Sequence, residues 1–332
     1  MKRLAIVGGG SWGTALAIVL APRFERVRLW VHETDLASRM AESRVNDGYL
    51  PGFEIPQGVD ITSTLGTALD GAEIVLSVMP SHLARAVYGQ MLPFLQESML
   101  FVSATKGLEN ESLLRVSEVI RDVVRKRFEP RVAVLSGPTF AREVARFDPT
   151  ALVVASENGG VTELVQEAFS GPTFRLYSSS DPVGVEIGGS IKNVVAIGSG
   201  VLHGMGLGHN ATAALITRGL AEMTRLAGAM GGKPLTLAGL AGLGDLVLTC
   251  TGELSRNRTV GVELAHGRKL DDIVRSMKMV AEGIKTTNAA VDLARRHGVE
   301  MPITEQMFQM LHFGASPREA IQRLMERSLK GE

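Results

Sequence analysis

Six residues near the start of the chain, Gly8-Gly9-Gly10-Ser11-Trp12-Gly13, carry its sharpest chemical signal. In a G-x-G-x-x-G that follows a strand and opens a helix, the first glycine permits the tight turn. The second lets backbone approach a pyrophosphate, and the third brings helix against strand. The helix N-terminus then faces the anion with its free N–H groups. A glycine-rich turn that binds nothing has the same composition, so the flanking elements decide between the two. His32 and Glu33 lie further on, at about the spacing expected of the ribose-binding acid of a dinucleotide site. An acid there suits the hydroxyls of NAD and a histidine could face a 2′-phosphate, while no arginine occupies the turn.

Further along, Lys192 sits in the middle of an apolar helical stretch, with Gly188, Gly189, Val195 and Ala196 one turn away. Burying an ammonium is costly unless something compensates it, and desolvation lowers a lysine pKa, which would poise the amine to take a proton. The alternative is a lysine that snorkels to the surface. Asp245 and Thr249 stand four apart and share a helix face, although Asp245 could equally be an N-cap. Ser255-Arg256-Asn257-Arg258 opens another helical run, so an N-cap hydroxyl, a guanidinium and fresh backbone N–H groups meet at one point, which suits a phosphate; an exposed basic turn would look similar. Lys106 follows the strand run Leu100–Ser103 in a glycine-marked turn, at the carboxyl end of the sheet where such folds bind ligands. His82, His203 and His209 lack the paired spacing of a zinc site, so no metal is expected, and Cys250 reads as a small buried hydrophobe.

The elements that must position these groups come in two blocks. Near-continuous apolar runs at Leu4–Val7, Val27–Val31, Ile74–Met79, Leu100–Ser103, Val132–Leu135 and Ala151–Ala155 suit strands covered on both faces. Helical stretches fit between them, at Thr14–Ala21, Asp35–Glu42, Ser81–Leu95, Glu111–Arg127 and Val161–Phe169. After Asp181-Pro182 the pattern turns helical, from Val183–Met205 to Pro317–Glu326. This predicts an α/β chain: an N-terminal Rossmann domain, doubly wound with a mainly parallel sheet, over 1–185, and an all-α domain over 186–332, with a cleft between them.

A length of 332 residues also favours two domains. With 35 Lys+Arg against 35 Asp+Glu there is no whole-molecule field to draw in nucleic acid or an anionic membrane. A single cysteine excludes an intrachain disulfide. Lys2, Arg3 and the apolar residues to Ala21 imitate a secretory signal, but Gly8–Trp12 interrupt them, and Val183–Met205 carries Glu186, Lys192 and Asn193, so neither membrane insertion nor export is expected and the chain reads as cytoplasmic.

Four stretches taken together resemble one family: Thr105-Lys106-Gly107-Leu108-Glu109, Ser136–Ala141, Gly188–Gly198, and Gly239–Leu246 continuing through Thr249-Cys250-Thr251 to Ser255–Arg258. In that order they are similar to the bacterial NAD(P)-dependent glycerol-3-phosphate dehydrogenases, over essentially the whole chain. The resemblance implies interconversion of glycerone phosphate and sn-glycerol 3-phosphate with NAD(P)H, NADPH slightly favoured, in the service of glycerophospholipid synthesis. It implies that Lys192 is the proton acceptor, with Asp245 and Thr249 beside it at the substrate, that Lys106 belongs to the catalytic set, and that Lys106, Gly137, Thr139 and Asn193 line the substrate. Ser255, Arg256 and Asn257 would hold its phosphate. The cofactor would be lined by Gly8, Gly10, Ser11, Trp12, Gly13, His32, Lys106, Ala141, Arg256, Val280 and Glu282. A homodimer is compatible with this reading. The residues alone leave two alternatives: another two-domain dehydrogenase, of a hydroxy acid or sugar acid, and a dinucleotide-sensing module without turnover.

Overall fold

The computed structural model describes residues 2–277 and 281–329. Two compact units divide the chain, one formed by Met1–Glu109 with Leu114–Glu186, the other by Ile187–Glu332 with the short stretch Asn110–Leu113.

The first unit alternates strands and helices: β1 (Arg3–Val7), α1 (Ser11–Leu20), β2 (Arg26–Trp30), α2 (Thr34–Ser43), β3 (Val45–Asn46), β4 (Leu50–Glu54), β5 (Val59–Thr62), α3 (Leu65–Leu69), β6 (Ile74–Ser77), α4 (Ala84–Met91), β7 (Leu100–Ser103), α5 (Val116–Val124), β8 (Arg131–Ser136), α6 (Ala141–Ala145), β9 (Thr150–Ala155), α7 (Gly159–Phe169) and β10 (Phe174–Ser179). Among the described residues, eight of these strands form one sheet in the order β10-β9-β8-β7-β6-β1-β2-β5, and only the β8–β9 pairing is antiparallel. The strands are apolar on both faces because both are covered: Leu4 and Ile6 of β1 join one core with α1 and α7, while Ala5 and Val7 join another with α4 and α5. The direction of winding reverses between β1 and β6, and the glycine turn leaves the carboxyl end of β1 at that point, where open α/β sheets bind ligands.

Three local readings need correction. The expected helix Ser81–Leu95 is α4 flanked by 3-10 turns at Ser81–Leu83 and Leu92–Phe94, the second holding Pro93, which has no N–H to continue the helical ladder. The helix expected from Glu111 begins only at Val116, where the Glu118 side chain reaches back to accept from Arg115 N at 2.9 Å. The two edge strands, β5 and β10, lie outside the expected apolar runs, because an edge strand is not apolar throughout: β10 buries Phe174 and Leu176 and exposes Arg175 between them.

The second unit is helical. Helix α8 (Pro182–Gly204) starts in the first unit's last residues and is long and apolar enough to cross a membrane, yet its apolar stretch is buried, as that of a core helix is, and only its end at His203 is exposed. It is followed by α9 (His209–Ala229), α10 (Pro234–Leu237), α11 (Asp245–Thr251), α12 (Arg256–Ala265), α13 (Leu270–Ser276), α14 (Glu282–His297), α15 (Pro302–Phe313) and α16 (Pro317–Met325). Helices α8 and α12 touch backbone to backbone: a Cβ on Gly200 would lie 1.9 Å from the Arg258 carbonyl oxygen, and one on Gly261 1.9 Å from that of Ile197. Only hydrogen fits at either position, and this close crossing fixes where α12 begins relative to the middle of α8.

Candidate active site

The glycine turn has the stereochemistry that its spacing predicts. Gly8 has φ +129°, which side chains rarely adopt, and a Cβ there would overlap the Val78 carbonyl oxygen at 2.1 Å. A Cβ on Gly13 would sit 1.8 Å from the Gly8 oxygen, so α1 could not seat against the turn. Gly10, by contrast, has open space where its Cβ would be. That opening, at the amino end of α1 whose first residues are Ser11 and Trp12, fits a pyrophosphate approached by backbone. Asn46, which the sequence reading passed over, is fully buried and holds the turn. Its amide donates to the Gly9 carbonyl and to Thr14 Oγ1, both at 2.8 Å. No periodic signal marks it, since β3 is two residues long.

At the tip of β2, His32 is exposed, with its ring 5.6 Å from that of Trp30. Glu33 is exposed too and accepts a hydrogen bond from the Tyr49 hydroxyl at 3.0 Å. Burial and that carboxylate together raise the phenol pKa. Tyr49 is a second residue that sequence reasoning missed, and it makes Glu33 an engaged acid rather than a loose loop charge.

In the same unit, the Lys106 ammonium donates to the Gly137 carbonyl at 2.9 Å and reaches Thr139 Oγ1 at 3.4 Å. Three residues assigned to the substrate by resemblance are thereby brought together. Gly137 turns the chain at φ +150°, with Leu152 Cα 3.1 Å from where its Cβ would be. Ala141 is the first residue of α6 and packs on the sheet core.

The second unit gathers Lys192, Asp245 and Thr249. Lys192 is 6% exposed and Asp245 fully buried. The ammonium is ion-paired to the Asp245 carboxylate and donates to Thr249 Oγ1 at 2.8 Å, while the threonine hydroxyl donates to the Asp245 carbonyl at 2.6 Å. Asp245 is not the N-cap of α11, a position held by Gly244; it is the first helical residue, set by a π-helical turn at Leu240–Gly244. The glycine face one turn from Lys192 is closely packed, since a Cβ on Gly188 would lie 2.5 Å from the Ala241 oxygen of that turn. Desolvation alone is therefore the wrong account of this lysine: it is buried as half of a neutral pair, and removing either partner of such a pair typically costs about 3–5 kcal/mol.

Beside it, Asn193 Oδ1 accepts from the Asn257 amide at 3.0 Å, and Asn257 Oδ1 accepts from Gly283 N at 2.9 Å. Asn257 thus ties α8 to the starts of α12 and α14, leaving one amide N–H for a ligand. Ser255 is the N-cap of α12, accepting from Arg258 N at 3.3 Å, and Arg256 is exposed at the first helical position. Glu282 opens α14; Val280 lies outside the described residues. Among the described residues, no three His, Cys, Asp or Glu side chains gather as metal ligands. Burial pushes the Cys250 thiol up to about 12, which leaves it protonated at neutral pH and a poor nucleophile.

Comparison with known proteins bears on the whole chain. Residues 3–161 match the family model of the NAD-dependent glycerol-3-phosphate dehydrogenase N-terminus, and residues 181–322 that of its C-terminus. A glycerol-3-phosphate dehydrogenase (NAD(P)+) of Koribacter versatilis is 58% identical over 329 residues, covering 98% of both chains. One from a Geobacter species is 51% identical, covering 100% of this chain and 99% of the relative. The crystal structure of glycerol-3-phosphate dehydrogenase from Coxiella burnetii superposes with a TM-score of 0.94 at 41% identity, covering 98% of this chain and 99% of that one.

Proposed function

Since the chain belongs to the NAD-dependent glycerol-3-phosphate dehydrogenase family, we propose that it interconverts glycerone phosphate and sn-glycerol 3-phosphate with NAD(P)H and so supplies glycerol 3-phosphate for glycerophospholipid synthesis. The observation that carries this reading is the buried Lys192–Asp245–Thr249 cluster. A dinucleotide-sensing module has no use for an ammonium buried against a carboxylate, whereas an alcohol–ketone interconversion needs a proton handled at the carbonyl oxygen.

Gly8, Gly10 and Gly13 would take the pyrophosphate on backbone, with Ser11, Trp12 and His32 along the same edge. When bound, the nicotinamide supplies the hydride to C2 of the ketone and receives it in the reverse direction. Lys192 donates its Nζ proton to the C2 oxygen as negative charge develops there, and takes that proton back when the alcohol is oxidised. Asp245 keeps the amine oriented between these events, and Thr249 fixes it from a second side. Lys106, with Gly137 and Thr139, and Asn193 hold the substrate. Arg256 and the amino end of α12 bind its phosphate, for which a guanidinium offers two parallel donors. Glu33 and His32 pull in opposite directions at the ribose, so both cofactors are used, with NADPH favoured slightly. The site of action is the cytoplasm, and the working form is a homodimer.

The test is turnover of glycerone phosphate with NADH and NADPH in parallel. Oxidation of both cofactors, with a preference under about 1000-fold, or about 4 kcal/mol, is expected. Turnover of a hydroxy-acid or sugar-acid pair instead, or of none, would refute the substrate assignment.

A further inference from the structure

Glu109 closes the stretch Thr105-Lys106-Gly107-Leu108-Glu109, and no part of the proposed chemistry uses it. Its side chain is 6% exposed. The fork of Arg85, from α4, meets it bidentately, Nε to Oε1 at 2.9 Å and Nη2 to Oε2 at 2.8 Å, and the third arm of the guanidinium, Nη1, pairs with Asp122 of α5. Around this pair the turn is tied at several points. Met79 N donates to Thr105 Oγ1 at 3.2 Å, Ser81 Oγ donates to the Leu108 carbonyl at 3.0 Å, and Glu109 N donates to the Leu114 carbonyl at 3.0 Å. Between the first two ties stand Lys106 and Gly107, the latter at φ +119°.

The side-chain bonds to Thr105 and Leu108 are neutral, whereas the carboxylate of Glu109 is held by charge-assisted, two-point contact. A buried carboxylate without its cation is forced outward towards water, and it would draw the backbone of its turn with it. Lys106 is three residues away in that turn and must keep its ammonium at Gly137 and Thr139. We propose that Arg85, acting through Glu109, is a positioning residue for the dehydrogenase reaction, holding the turn that aims Lys106 at the substrate. This rests on the assignment of Lys106 to the substrate. The requirement is for a fork rather than a charge: a lysine at position 85 supplies a single ammonium and cannot span both carboxylate oxygens.

The experiment is a kinetic cycle on the whole enzyme with glycerone phosphate and NADPH, comparing Arg85→Met, Arg85→Lys, Lys106→Met and the double variant Arg85→Met/Lys106→Met, with melting temperatures recorded alongside. Arg85→Met is expected to lower kcat/KM by about 10- to 100-fold, the scale of an ångström-sized misplacement of a binding group. Arg85→Lys should recover only part of it. In the Lys106→Met background the same Arg85 change should cost less than about twofold, because there is no ammonium left to aim. Guanidinium ion added to Arg85→Ala should restore part of the lost activity at a concentration that leaves the parent unaffected. A full, multiplicative loss in the double variant, or a folded Arg85→Met with parental kcat/KM, overturns the proposal. If Lys106→Met alone keeps parental kcat/KM, it is the reading of Lys106 that falls, and the positioning role with it. Should Arg85→Met fail to fold, Glu109→Gln enters the same cycle, since it keeps the shape and removes the charge that the fork grips.

Discussion

The cluster of Lys192, Asp245 and Thr249 separates catalysis from stability by a route that a single substitution does not offer. Lys192→Ala removes a proton-transfer group worth about 100- to 10,000-fold in kcat, and it also strands a fully buried carboxylate. Loss of activity in that variant would therefore be ambiguous on its own. Lys192→Met combined with Asp245→Asn removes both charges at nearly constant volume, so the double variant should regain most of the melting temperature lost by Lys192→Met while kcat stays depressed. If activity returns together with stability, the lysine acts only as a structural partner of Asp245. Arg256 lends itself to a different comparison, because it is exposed. Arg256→Ala should cost a few kcal/mol of substrate recognition, at roughly 1.5–3 kcal/mol per charged hydrogen bond. The readout is the ratio of kcat/KM for glycerone phosphate to that for plain dihydroxyacetone. An unchanged ratio would move the phosphate to Lys106 or Arg258.

At the scale of elements, the glycine turn allows two glycines a few residues apart to be set against each other. Gly10 has φ −73° and free space for a Cβ, so Gly10→Ala should leave stability nearly unchanged while a methyl group stands where the pyrophosphate must come. Gly13→Ala, 1.8 Å from the Gly8 oxygen, should lose both stability and NADPH affinity. Fluorescence titration of NADPH with melting curves tests this, and Gly10→Ala binding NADPH within about twofold of the parent would place the pyrophosphate elsewhere. These glycines were legible because spacing alone specifies their roles, and the apolar runs were legible because a two-sided sheet demands them. Asn46 and Tyr49 were not, since their work depends on a short β3–β4 hairpin that brings distant residues to the turn. The N-cap reading of Asp245 failed for a related reason: a π-helical turn shifts the register just before it, and hydrophobic periodicity carries no trace of such a shift. Ser255 was readable as a cap because capping is a local matter of one hydroxyl and the next turn's N–H.

For the whole molecule, the balance of opposite charges hides a pH dependence that one buried acid introduces. Glu222, on α9, is 1% exposed and caps the amino end of α15, accepting from Ile303 N at 2.6 Å, Thr304 N at 3.1 Å and Thr304 Oγ1 at 3.1 Å. Burial raises its pKa, and the donated hydrogen bonds offset this only in part. A carboxyl whose pKa is higher folded than unfolded binds more protons in the native state. Its contribution to stability is fully present below the unfolded value and is lost as pH rises through the folded one. Exposed carboxylates such as Asp122 and Glu319, lowered respectively by Arg85 and by the Ser316 cap, act in the opposite sense, losing their contribution as pH falls. Their effects are common to the parent and to a variant at position 222, so they cancel in a difference. Glu222→Gln removes the titration while keeping a carbonyl acceptor for the helix start. The stability of the parent minus that of Glu222→Gln, from urea unfolding at steps from about pH 4 to pH 8, should therefore decline above the ordinary glutamate value near 4.3 and level off beyond the raised pKa. A difference that is flat across the range would mean that Glu222 titrates alike in both states. One that grows with pH would mean that the three donors outweigh burial and hold the carboxylate charged.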